Sequence, residues 1–204
     1  MSKGRFIVIE GLDGSGKSTQ IELLKNELIK SGQAVYLTAE PTYYETGAYL
    51  RRILSESLDK DMYLQSALFL ADRLEHITNP EFGIEKYLNE GYTVICDRYY
   101  FSSFAYQGTK SDINWVMKIN LECKKIIKPD ICIFLDVNPD TCKGRIDKGR
   151  EKAELYEKDI EIMKNIRQNF FTVFEKLRDT HNIIIIDANN NVDNVFKQMM
   201  EKIS

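Results

Sequence analysis

Short apolar runs alternate with amphipathic stretches from one end of the chain to the other. Phe6–Ile9, Val35–Leu37, Tyr92–Cys96, Ile131–Leu135 and Ile183–Ile186 read as five strands. Most of these runs are continuously apolar, the pattern of strands covered on both faces. Helical patterns lie between them. Ile21, Leu24 and Leu28 recur at helical spacing ahead of Gly32, a residue type that closes helices. Met62–Ile77 predicts a helix on the stepping of Leu64, Leu68, Ala71 and Glu75, and Ser111–Ile127, Tyr156–Arg178 and Val192–Ile203 predict three more. Asn79-Pro80 reads as the N-cap and first residue of a helix that stops before Gly91, and Asn138-Pro139 opens another in the same way. This alternation predicts an α/β fold in three layers: a five-stranded, mostly parallel sheet flanked by helices.

The 204 residues carry no internal repeat, linker or low-complexity tract, which predicts one domain over residues 1–204. Lys143–Lys158 stands apart as a charge-rich stretch, poor in large apolar residues, between two helices. The 28 Lys and Arg against 31 Asp and Glu give a net charge of −3, which argues against a protein that coats nucleic acid or an anionic membrane. No run approaches the roughly 18 apolar residues of a spanning helix. The apolar run Phe6–Ile9 is also too short for the core of a signal peptide. Cys96, Cys123, Cys132 and Cys142 show no C-x-x-C spacing and read as small hydrophobes of a reducing compartment. The expected location is the cytoplasm.

Chemistry enters at Gly11-Leu12-Asp13-Gly14-Ser15-Gly16-Lys17-Ser18, which fits G-x-x-x-x-G-K-[ST] after the first strand and before a helix. Its glycines let successive backbone N–H groups converge on a phosphate, and the helix start adds a positive dipole end. Lys17 would reach the β- and γ-phosphates, and Ser18 would hold Mg2+ through its hydroxyl. Gly11 to Thr19 is therefore the expected ATP-binding segment. Thr109-Lys-Ser-Asp112 matches a guanine-reading pattern, but it follows no apolar strand, so the match is accidental. The lone phosphate loop in a short chain favours a small-molecule kinase. Asp97 and Arg98 follow the strand Tyr92–Cys96 directly, where ligands gather in parallel sheets. Asp97 can organise magnesium, and Arg98 can fork onto phosphate oxygens.

Taken together, Gly11–Thr19, Glu40-Pro41-Thr42, Leu68–Arg73, Asp97-Arg98-Tyr99 and Ser102–Gly108 resemble the thymidylate kinase family over nearly the whole chain. The resemblance implies a P-loop kinase sandwich with a short mobile lid at about 143–158. It implies transfer of the γ-phosphoryl of ATP to dTMP, Mg2+ as cofactor, and a homodimer packed through helices. Residue by residue, it puts Phe69 against thymine, Arg73 and Ser103 at the base edge, and Tyr106 beside the sugar's 2′ position. It also gives Asp13 to the acceptor 3′-hydroxyl, Arg51 and Arg98 to the acceptor phosphate, and Gln107 to the acceptor set. Ala39 ahead of Glu40, Gly14 in the phosphate loop and Leu155 ahead of Tyr156 depart from common family wording. With no cation at position 14, charge compensation is expected from Arg145, Lys148, Arg150 or Lys152, with Arg150 preferred and Arg145 second. Two rivals remain: a kinase for another nucleoside monophosphate or a deoxynucleoside, and a non-catalytic nucleotide binder.

Overall fold

The computed structural model describes residues 4–149, 156 and 159–203. Strands form at all five apolar runs: β1 (Phe6–Gly11), β2 (Val35–Ala39), β3 (Thr93–Asp97), β4 (Ile131–Asp136) and β5 (Ile183–Asp187). They lie in the order β2-β3-β1-β4-β5, and all four pairings are parallel. Burial follows the sheet order. Central β1 is buried throughout, whereas the edge strands β2 and β5 are only partly covered. The register sets Asp97 beside both Ile9 and Ala39, and Gly11 beside Leu135, so the loops after β1, β2, β3 and β4 open at one edge of the sheet.

The helices are α1 (Lys17–Lys30), α2 (Glu45–Ser55), α3 (Met62–Thr78), α4 (Ile84–Asn89), α5 (Tyr100–Gln107), α6 (Ile113–Leu121), α7 (Pro139–Gly149), α8 (Ile160–Leu177) and α9 (Val192–Ile203). Gly32 follows the C-cap of α1 at φ +83°, and its neighbour Gln33 N–H donates back to Leu28 O. Asn138 caps α7 as expected, accepting the Asp140 N–H with Pro139 in the first turn.

The expectation for Asn79-Pro80 is corrected. Asn79 ends α3, and its Oδ1 accepts from Glu81 and Phe82 N–H to close a local turn, so α4 starts only at Ile84. Helix α6 ends at Leu121, short of Ile127. Helix α8 begins at Ile160, where Asp159 caps the Glu161 N–H, and Tyr156 lies ahead of it. Helix α7 runs into the charge-rich stretch as far as Gly149. Arg150, Lys152 and Leu155 lie outside the described residues. Three of the four free cysteines are buried and Cys123 is half-buried. Among the described residues, no helix is long and apolar enough to cross a membrane.

Candidate active site

The loop from Gly11 to Gly16 joins β1 to α1, with Gly16 left-handed at the N-cap. Lys17 is buried, and its Nζ donates to the Gly11 and Leu12 carbonyls at 3.2 and 3.1 Å. Burial and the nearby Arg98 guanidinium push its pKa down, and Asp97, Asp13 and Glu10 counter them in part. Ser18 and Thr19 are exposed at the start of α1. Gly14 is required by a close approach: at φ +78°, a Cβ there would meet the Cys142 carbonyl oxygen at 2.6 Å. Helix α7 therefore excludes an arginine at position 14 unless its backbone shifts. The same helix supplies Arg145, whose Nη1 donates to Gly14 O at 3.1 Å.

Beyond β3, Arg98 holds a left-handed φ of +67°, a strained conformation for a long side chain. Three hydrogen bonds fix it there. Nη2 donates to Asp13 Oδ1 at 2.6 Å, and Nη1 donates to Gly11 O and Ser102 Oγ at 3.1 and 3.0 Å. Burial pushes the Asp13 carboxyl up, but Arg98 and Lys17 outweigh it and hold the group at about 2. Tyr106 donates its hydroxyl to the other Asp13 oxygen at 3.1 Å, and Arg98 lies 5.0 Å from the Tyr106 ring centre. Behind this pair, Glu10 accepts from Tyr99 N–H, Ser102 N–H and Ser102 Oγ. Burial raises the Glu10 pKa to about 7, with Arg98 and these hydrogen bonds pulling it back. Motif reasoning does not reach Glu10, although an acidic residue inside an otherwise apolar strand is a visible signal.

A cleft of about 460 Å3 opens beside this cluster. It brings together Asp13, Arg51, Phe69, Arg73, Asp97, Arg98, Ser103, Tyr106 and Gln107, all expected site residues. Phe69, Asp72 and Arg73 share one face of α3. Phe69 is half-buried, while Arg73 is 1% exposed and bonded to Glu40, Ser103 and Asn120. Arg51 donates to the Pro41 and Thr42 carbonyls and lies 3.9 Å from the centre of the Tyr43 ring. Sequence reasoning assigns no role to Tyr43, Tyr99 or Tyr156, which also line the cleft. The Tyr156 hydroxyl accepts from Gln107 and donates to Gln65 Oε1 at 3.1 Å.

A second cleft, of about 520 Å3, shares Ala39, Tyr43 and Asp97 with the first and is also lined by Ser18 and Glu22. Asp97 Oδ1 is buried with no hydrogen-bond partner among the described residues. A hydroxyl and an orphaned carboxylate oxygen on one cleft are hard donors that fit magnesium. No group of three or more His, Cys, Asp or Glu side chains is placed to hold a metal among the described residues. The remaining positions of an octahedral shell would fall to phosphate oxygens and water.

A family model described as thymidylate kinase matches residues 9–199. A probable thymidylate kinase of Staphylothermus marinus is 36% identical over 204 residues, covering 99% of this chain and 95% of its own. A thymidylate kinase of Caldicellulosiruptor saccharolyticus is 34% identical, covering 98% and 96%. The solved structure of thymidylate kinase from Candida albicans matches with a TM-score of 0.81 at 26% identity, over 98% of this chain and 91% of that one. With a phosphate loop beside a base-sized cleft in a matching fold, this chain belongs to the thymidylate kinase family.

Proposed function

We propose that this chain transfers the γ-phosphoryl group of ATP to dTMP, giving dTDP and ADP. The observation that carries this reading is the shared cleft, which Phe69 and Arg73 line together with Asp13 of the phosphate loop, Arg98 and Tyr106. Phe69 offers a face for thymine, and Arg73 with Ser103 offers polar groups for the base edge. Tyr106 crowds the 2′ position, Asp13 takes the 3′-hydroxyl, and Arg98 and Arg51 serve the acceptor phosphate. Gln107 closes the inner wall.

The acceptor phosphate has a second pKa of about 6 and is mostly dianionic at neutral pH, so no general base has to deprotonate it. The difficulty is bringing two anions into line. Lys17 and Arg98 offset their repulsion and meet the charge spread over the transferring group. Ser18 and Asp97 would hold Mg2+, which neutralises phosphate charge when bound. The segment 143–158, as a lid, would cover ATP and exclude water. We place the enzyme in the cytoplasm.

ADP release in the presence of ATP and Mg2+ tests the reading across dTMP, dUMP, UMP, dCMP, AMP and thymidine. dTMP is the expected best acceptor. A better rate with UMP or AMP overturns the base-reading assignment. Phe69→Ala should weaken dTMP binding by about 1–3 kcal/mol, the usual worth of base–aromatic stacking. Arg73→Ala is a poorer probe, because it leaves the buried Glu40 carboxylate without its counter-charge.

The chain is also read as a homodimer. Tyr63 and Leu64 on α3 are exposed apolar side chains, and this part of α3 is the surface offered for a helix-packed interface. Light scattering should return twice the chain mass of 23.7 kDa. A monomer at assay concentration overturns this reading.

A further inference from the structure

A buried relay stands behind the base-reading arginine. Glu40 Oε2 accepts from Arg73 Nε at 2.9 Å and from Nη2 at 2.5 Å. Its other oxygen, Oε1, lies 3.1 Å from His76 Nδ1, and His76 Nε2 lies 2.6 Å from Thr38 Oγ1. His76 is completely buried, one helical turn beyond Arg73 on the same face of α3. A carboxylate accepts only, so Nδ1 donates to it. In the neutral ring, Nε2 then accepts from the Thr38 hydroxyl. Each oxygen of Glu40 is thus held from a different side.

The donor count of Arg73 gives the relay a consequence. A guanidinium has five N–H groups. Two go to Glu40, one to Ser103 Oγ at 3.1 Å and one to Asn120 Oδ1 at 2.5 Å. Asn120 is itself fixed, because its Nδ2 donates to Val116 O at 2.9 Å. One N–H, on Nη1, is left uncommitted among the described residues, on a side chain that lines the cleft. A single immobilised donor suits a keto oxygen and opposes an amino group, since two donors cannot satisfy one another.

We propose that His76, steadied by Thr38, is a positioning residue that fixes Arg73 through Glu40 and so sets the preference for a 4-keto over a 4-amino pyrimidine. This rests on the dTMP kinase reading above. The test compares the parent with Thr38→Val, His76→Phe and His76→Asn, assaying dTMP, dCMP and ATP dependence. In His76→Phe, KM for dTMP should rise about tenfold and the dTMP-to-dCMP ratio of kcat/KM should fall about tenfold. Its kcat and KM for ATP should stay within about threefold. Thr38→Val should move the same quantities in the same direction by about threefold. His76→Asn, whose Nδ2 can replace Nδ1 as donor to Glu40, should recover most of the selectivity.

Unchanged dTMP KM and selectivity in folded Thr38→Val and His76→Phe overturn the inference, as does an equal rise in KM for ATP. If His76→Phe does not fold, Thr38→Val decides alone, because it is nearly isosteric on a half-buried strand. A parent inert toward dTMP appears before any variant is made. That result overturns the functional reading, and this inference with it.

Discussion

Lys17→Ala is expected to abolish phosphoryl transfer and leave the fold standing. The ammonium group has three N–H donors, and two are spent on carbonyls of the phosphate loop itself. These are short-range bonds between neighbours in sequence, so losing them costs the core little. Chemistry loses far more. In the proposed reaction the Lys17 ammonium group would meet the transferring phosphoryl beside the loop N–H groups. Loss of one preorganised donor in such a place costs about 10²–10³ in kcat, and loss of a charged one should cost at least that much. Rapid-quench measurement of ADP formation should therefore show a fall of about 10³ or more, with a thermal melt close to the parent's. Calorimetry should show dTMP still binding, because Phe69 and Arg73 are untouched. A folded variant with near-normal turnover would remove the phosphate loop from the mechanism.

How much of this was legible in the sequence depended on the range of the interaction. The phosphate loop, the Asp97-Arg98 pair and the Phe69–Arg73 spacing are local patterns, and the cleft brings Asp13 of that loop together with Asp97, Arg98, Phe69 and Arg73. The central strands were legible because β1 and β4 are covered on both faces and so are apolar at nearly every position. Helix α5 was not, for a related reason. Every residue of it except Ser102 is buried, so no polar face marks a helical period. Helix α2 was hidden by Gly47, which lies so close to the Thr42 backbone that a Cβ would overlap it. The ties of Arg73 to Glu40 and Asn120 join residues 33 and 47 positions apart, and no local spacing announces such contacts. The turn after Asn79 shows the opposite failure. Asn-Pro serves an N-cap and a local turn equally well, and the surrounding chain selected the turn.

The second large effect is expected at Arg98, and it separates two sources of positive charge. Arg98 spends three of its five N–H groups on Gly11, Ser102 and Asp13, and its guanidinium lies over the Tyr106 ring in the cleft. A planar guanidinium is a fork that matches two phosphate oxygens. The left-handed backbone at Arg98 and the Ser102–Glu10 contacts behind it hold that fork in place before any substrate arrives. Arg98→Ala should lower kcat/KM for dTMP by about 10³–10⁵, the range for an arginine that meets transition-state charge. Arg98→Lys should recover little of the loss, because a point charge cannot reproduce the fork. Arg145 is placed differently: it is exposed, bonded among the described residues to the Gly14 carbonyl, and carried by α7. Arg145→Ala should lower kcat by roughly ten- to a thousandfold with a smaller change in KM for dTMP, as a lid cation acting late would. Arg150, preferred on sequence, is measured beside it. If Arg98→Ala stays within about tenfold while either lid variant falls further, the charge that matters in transfer comes from the lid and Arg98 serves only to hold Asp13.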